Sequence, residues 1–268
     1  MSWIREMFKT EKAIIGLLHL TALPGDPFYE GSMEKVIRQA REDLDALQEG
    51  GVDGVLLTNE FSLPYEKQVS KVTLGAMGRV VGALEGRFRV PYGVEAIYDA
   101  DATIEICAAA DASFSRCVFT GAYAGDLGLV DRDVAKTLRL RRALGMQNLK
   151  LFYFVNSEGE VYLNDRSPEE VTKTMLFNCR PEALVVAGGM AGSSPADSLL
   201  AKVKEAAGDA APVFCGTGCR PDNIGQILRV ADGAFVGTTF KKDGKFTGAV
   251  DYERVRAFMD KVCSIRGE

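Results

Sequence analysis

A chain of 268 residues that is 47 % hydrophobic and 26 % charged has the makeup of a folded globular protein, which excludes disorder and fibrous repeats. Its 32 Lys and Arg stand against 37 Asp and Glu, a net charge of −5, so no bulk basic field draws it to nucleic acid. At this length a full core can be buried without disulfides or metal, and one α/β barrel accounts for residues 1–268 as a single domain.

Trp3, Ile4, Met7 and Phe8 fall at helical spacing and predict a short amphipathic N-terminal helix covering one end of the fold. Charges spread through the first twelve residues argue against a signal peptide, and no stretch reaches the ~20 apolar residues of a membrane span. Eight apolar runs then read as strands, at 13–20, 54–60, 88–97, 114–119, 148–155, 183–188, 212–218 and 233–240. Helical stretches alternate with them at 33–49, 69–86, 100–110, 131–144, 168–178, 195–207, 220–229 and 251–265. Ser167-Pro168-Glu169-Glu170 supplies an N-cap, a first-turn proline and acids placed against the helix dipole. Ser194-Pro195 and Arg220-Pro221-Asp222 repeat that pattern.

Strands apolar on both faces, each followed by a helix, mean parallel βαβ units. Eight units of about 33 residues suit a closed (β/α)8 barrel better than an open doubly wound sheet. Two connections, 121–128 and 156–166, exceed ordinary βα loops and predict lids or binding elements, with glycine hinges in the first and a strand-like hairpin in the second.

Barrel ligands sit at the carboxyl ends of the strands, which directs attention to His19, Glu60, Glu95, Asp99 and Asn156 as acid/base or hydroxyl-recognising groups. An acid ending an apolar strand, as Glu60 does, must be solvated by a pocket or paired, for instance with Lys67. If Glu95 points into the mouth, Glu60 and Asp99 would raise its pKa or recruit a cation. These three carboxylates could hold Mg²⁺ or read sugar hydroxyls, so a divalent metal stays open and no other cofactor is firmly predicted. Arg116 and Lys150 each lie within a strand and should meet a carboxylate or a substrate anion.

The last three strands end in Gly188-Gly189, Gly216-Thr217-Gly218 and Gly237-Thr238-Thr239. Glycines there let backbone N–H groups approach an oxyanion, and barrel phosphate sites form at the loops after strands 7 and 8. The plainer alternative is that these glycines only make tight turns. Lys241-Lys242-Asp243-Gly244 either adds positive charge to that site or forms a solvated turn.

Cys107, Cys117, Cys179, Cys215, Cys219 and Cys263 include no Cys-x-x-Cys pair, and His19 is the sole histidine. A structural zinc site is not expected, and scattered thiols fit a reducing cytoplasm.

His19-Leu20 with Leu23-Pro24-Gly25-Asp26, Gly50-Gly51-Val52-Asp53-Gly54, Asn59-Glu60, Gly93-Val94, Ala231-Asp232-Gly233 and Thr239-Phe240-Lys241-Lys242-Asp243-Gly244 resemble the BtpA/SgcQ family nearly end to end. Met1-Ser2-Trp3, Asn59–Tyr65 and Phe119–Ala124 resemble its SgcQ branch, associated with a carbohydrate phosphotransferase gene cluster, more than the BtpA branch, named for photosystem I biogenesis. The resemblance implies a TIM barrel of the phosphate-binding type but supplies no reaction. The chain departs from the family pattern at Gly93–Asp99 and at Asn156-Ser157-Glu158.

The expectation is therefore an enzyme, an isomerase, epimerase or aldolase-type lyase, acting on a small phosphorylated substrate such as a sugar phosphate. It has no nucleic-acid partner, and homo-oligomers stay open. Two alternatives stand beside it: a non-catalytic membrane-complex biogenesis factor of the BtpA type, and an FMN-binding barrel.

Overall fold

The computed structural model describes residues 2–190 and 192–267. Eight parallel strands close into a barrel: β1 (Ala13–His19), β2 (Gly54–Thr58), β3 (Tyr92–Glu95), β4 (Phe114–Cys117), β7 (Lys150–Phe154), β9 (Ala183–Val186), β10 (Val213–Cys215) and β11 (Gly233–Val236), which pairs back onto β1. The register runs His19 to Thr58 and Thr58 to Glu95, so three successive strands end level with one another. The expected (β/α)8 architecture is what the chain adopts.

Outside the barrel lie α2 (Met33–Glu49), α3 (Lys71–Leu84), α4 (Ala100–Ala109), α5 (Val134–Ala143), α6 (Pro168–Cys179), α7 (Asp197–Ala207), α8 (Ile224–Val230) and α9 (Tyr252–Arg266). Ser167 and Glu170 form the expected capping box at α6. Several strands stop short of their apolar runs: 88–97 pairs only over Tyr92–Glu95, and after β11 the chain coils into a 3₁₀ turn at Thr238–Phe240. The chain leaves the sheet early at these ends to build the mouth of the barrel.

The two long connections hold more structure than expected. The hairpin lies in the first, as β5 (Ala122–Gly125) and β6 (Gly128–Asp131), and the second contributes the third strand, β8 (Glu160–Tyr162). Helix α5 consequently starts at Val134, capped by Asp133, rather than at 131.

The bottom of the barrel is filled by aromatic rings. Phe114, Phe152, Phe214 and Phe235 are at most 1 % exposed, and Phe152 makes edge-to-face contacts with the other three. The N-terminal helix α1 (Ser2–Phe8) plugs this end as expected, placing Phe8 on Phe114 and Trp3 on Phe152 with ring centroids 5.4 and 5.7 Å apart. Burying one such ring stabilises the fold by about 1.5–3 kcal/mol. Lys150, expected to meet an anion, instead lies under this plug with its ammonium 5.6 Å from the Trp3 ring.

Three acids pin the strand starts. Asp53 accepts from Ile14 N–H and pairs with Arg266, Glu182 accepts from Leu151 N–H and pairs with Arg141, and Asp232 accepts from Val213 N–H and pairs with Lys204. Each satisfies a donor within the first two residues of a strand while a helix cation balances its charge. No helix among the described residues is long and apolar enough to cross a membrane.

Candidate active site

The carboxyl ends of β1 to β4 bring four of the polar residues together. His19 ends β1, Glu60 follows β2, Glu95 ends β3, and Arg116 lies on β4 with its side chain in the mouth, above the Phe114 layer. All four are buried. Arg116 Nε donates to Glu95 Oε2 at 2.9 Å and its Nη1 donates to the Gly216 carbonyl at 3.2 Å. Its guanidinium also lies over the rings of Phe154 and Phe235. Glu60 Oε2 accepts from the Thr58 hydroxyl at 3.3 Å and sits 3.6 Å from His19 Nε2; Lys67 does not reach it, donating instead to the Leu129 carbonyl. Glu158, in the loop before β8, completes a ring of three carboxylates around one guanidinium.

Burial sets the protonation of this cluster. It raises Glu60, lifts Glu95 to about 7 against the opposing pull of Arg116, and lifts Glu158 to about 7. Asp99 does not contribute to the Glu95 shift; the acid that does is Glu60. His19 is driven well below its usual value, by burial first and then by the charges of Lys241 and Arg116. It is therefore a neutral imidazole, and neither ring nitrogen has a hydrogen-bond partner within the protein. Among the described residues no group of three or more His, Cys, Asp or Glu is arranged to hold a metal ion. Arg116 supplies a positive charge among these carboxyls, for which the sequence leaves both a divalent metal and sugar hydroxyls open.

This cluster is the meeting point of two cavities. The first, of about 300 Å³, runs from His19, Glu60, Arg116 and Glu158 to the turns after β10 and β11. Gly216, Thr217, Gly218, Gly237, Thr238 and Thr239 all line it, so the seventh and eighth repeats converge on one space. Thr239 Oγ1 ties the turns together through the Cys219 carbonyl. Two arginines that the sequence reading missed, Arg220 and Arg254, stand at this end, and Arg254 Nε is fixed on the Thr239 carbonyl at 2.9 Å.

The glycines here serve packing as well. Gly218 has φ +69°, and a Cβ there would lie 2.2 Å from Ser194 N. A Cβ at Gly237 would lie 2.9 Å from His19 Cε1, so that glycine makes room for the imidazole.

Other expected site residues stand elsewhere. Asp99 caps α4, accepting from Ala102 N–H and Val69 N–H, and does not line either cavity. Asn156 bonds both backbone groups of Ala187, extending the β7–β9 ladder with its side chain. The Gly188 N–H is taken by Thr217 Oγ1, and Gly189 receives the Gly159 N–H at its carbonyl, so these two glycines join loops rather than face the cleft. Lys241 is neither solvated nor in the cleft. It is 2 % exposed and donates to the Phe246 carbonyl, lying over the Phe61 and Phe246 rings.

The second cavity, of about 250 Å³, is lined by Glu60, Glu95, Arg116 and Glu158 on one side and by Tyr65, Tyr98, Ile97, Val118 and Phe154 on the other. Tyr98 holds φ +66°, a left-handed backbone unusual for an aromatic residue.

The model of the BtpA family matches residues 10–264. The chain belongs to the BtpA family. Among its relatives, the putative sgc region protein SgcQ of Escherichia coli is 43 % identical over 99 % of this chain and 100 % of that protein. The photosystem I biogenesis protein BtpA of Synechocystis is 31 % identical over 95 % of this chain and 89 % of its own length. In fold, this BtpA-family barrel is similar to a solved structure described as native KDPGal, with TM-score 0.60 and 13 % identity over 98 % of this chain and 100 % of the other.

Proposed function

We propose that this protein is an enzyme that moves a proton within a small phosphorylated metabolite of the sugar phosphate class. The observation that carries the reading is His19, a buried imidazole with both nitrogens unpartnered, set in a cavity with arginines at one end and half-ionised carboxyls at the other. A buried polar group without a partner costs about 1–3 kcal/mol, a cost that a ligand atom would remove.

In this reading the phosphate lies among Arg220, Arg254 and the backbone N–H groups of Thr217–Gly218 and Gly237–Thr239, the Gly216 N–H being held by the Val186 carbonyl. The reacting carbon lies between Glu60, Glu95 and Glu158. A carboxyl with a pKa near 7 takes up and returns a proton equally well at neutral pH, which suits Glu158 as the acid/base. Neutral His19 donates a hydrogen bond to the substrate oxygen that gains charge, and Arg116 holds Glu95 in place and balances the negative cluster.

Proton transfer, as in an isomerase or epimerase, is favoured over a lysine-dependent aldol cleavage. No lysine among the described residues lines the cleft, since Lys150 lies at the far end of the barrel and Lys241 is bonded to the Phe246 carbonyl. The six cysteines are all free thiols, which supports a cytoplasmic setting.

Thermal unfolding in rising inorganic phosphate tests the anion end, because a ligand of the native state must stabilise it. The midpoint should climb at millimolar phosphate, and an unchanged midpoint would overturn the reading. Glu158→Gln should remove turnover of a sugar phosphate while leaving the phosphate-induced stabilisation intact.

A further inference from the structure

Each of the two cavities alone is at or below the lower end of the range for small-molecule sites, roughly 300–1,000 Å³, whereas joined they fall inside it. They share Glu60, Arg116 and Glu158. A plain sugar phosphate, with its anion among Arg220 and Arg254 and its reacting carbon at this shared waist, would occupy the first cavity and leave the second empty.

The second cavity has a definite chemistry. Tyr65 and Tyr98 stand side by side, ring centroids 5.5 Å apart and planes 31° from parallel, and Ile97, Val118 and Phe154 add apolar wall. The Tyr65 hydroxyl is fixed on the Glu60 carbonyl at 3.0 Å, and the Tyr98 hydroxyl reaches the Glu158 carbonyl at 3.4 Å. Both rings are therefore held in position before any ligand arrives. Tyr98 keeps its place in a left-handed backbone, and such outliers persist where the surrounding structure over-determines them, often at ligand clamps. Acceptor oxygens outnumber cations at the rim of this cavity: Arg116 gives two of its N–H groups to Glu95 and Gly216, and the carboxyls of Glu60, Glu95 and Glu158 gather at the waist. An anionic group is repelled there, whereas a flat ring with N–H donors on its edge is matched on both face and rim.

We propose that the second cavity binds a flat heteroaromatic group bearing N–H donors, carried by the phosphorylated sugar on the far side of the reacting carbon from the phosphate. The substrate class is thus a sugar phosphate conjugated to a nitrogen heterocycle, of nucleoside monophosphate type, rather than a free sugar phosphate. The proposal rests on the anion end assigned above, and the test separates the two.

Calorimetric titration of the full chain would use inorganic phosphate, ribose 5-phosphate, adenosine 5′-monophosphate and adenosine. The monophosphate should bind at least tenfold more tightly than ribose 5-phosphate, the gain expected from one stacked base. In Tyr98→Gly, which removes the ring with a residue at ease in the left-handed backbone, that gain should vanish while ribose 5-phosphate binds as before. Tyr98→Phe should keep the gain. Equal affinity of the two phosphorylated probes in the wild type, or a gain that survives Tyr98→Gly, overturns the subsite. If neither phosphate nor ribose 5-phosphate binds, the anion end fails instead. The subsite then stands if adenosine alone binds the wild type and not Tyr98→Gly, and falls if adenosine binds neither.

Discussion

The interior of the barrel has two ends built from the same strands, two residues apart. On β4, Phe114 closes the bottom and Arg116 opens the mouth; on β7 the pair is Phe152 and Phe154, and on β11 the chain passes from Phe235 to Gly237. Side chains of one strand face the same side at every second residue, so one step along that period carries the chain from a dry aromatic layer to a cluster of charges. The bottom is plugged by α1, whose Trp3 and Phe8 pack edge-on against the aromatic layer. The mouth keeps an imidazole without partners and carboxyls with raised pKa values. The same scaffold places its aromatic packing below and its buried titratable groups above.

The contrast can be broken or sharpened by substitution at each level. Phe152→Ala, at the centre of the aromatic layer, should cost about 3–5 kcal/mol in urea unfolding, because a rigid layer cannot collapse into the void. Its effect on ligand affinity should be small, and a large one would show that the two levels are coupled.

Arg116→Met takes the balancing charge from three carboxylates and should lower stability by about 3–5 kcal/mol at pH 8.5. At pH 5, where Glu95 and Glu158 are protonated in the fold, the loss should be much smaller. Melting curves at the two pH values give the comparison.

Glu158→Gln should act in the opposite sense. The native carboxyl titrates near 7 against 4.5 for the ordinary group, so the fold binds the proton more tightly than the unfolded chain does. The associated stability is fully present below about pH 4.5 and is lost as pH rises through 7. The amide escapes that loss, so the variant should be about 1–2 kcal/mol more stable than wild type at pH 8.5 and equal to it at pH 4. Because Glu158 is the acid/base of the proposed reaction, the same substitution should also lower turnover by about 10²–10⁴-fold.

Arg254→Gln should weaken phosphate binding about tenfold, or ~1.4 kcal/mol, without altering the titration of the carboxyl cluster. A fall in stability without a fall in phosphate affinity would reduce this arginine to a clasp on the Thr239 carbonyl.

The strands were legible because each is a run of apolar residues buried on both faces. His19, Glu60 and Glu95 were legible because a polar residue ending such a run has few places to go but the mouth. Arg116 was legible as an anomaly, a cation inside a strand, and its partner proved to be a carboxylate one strand away. Glu158 and Arg254 carry no comparable signal. One sits in a loop and the other on an outer helix, and only closure of the barrel brings them to the cleft. Asp99 shows the opposite failure. It stands two residues before a second acid in a helix-forming stretch, and the signature of an N-cap was stronger than that of a site acid. The glycines of the sixth repeat were read as anion ligands because sequence does not distinguish an N–H left for a ligand from one given to a neighbouring loop.

The division of the cleft also separates what can vary from what cannot. The turns that follow β9, β10 and β11 are stitched to one another through Thr217, Ser194, Asn223 and Thr239, and an insertion there would unpick several bonds at once. Val118, Ser157, Glu158 and Gly159, on the opposite side, belong to segments that lead into or out of the small sheet of β5, β6 and β8. That sheet pairs with itself and contributes no rung to the barrel. It can therefore be redrawn without dismantling the scaffold, and transplanting residues 118–132 and 156–166 between relatives should exchange their molecular preferences while the proposed anion end is left unchanged.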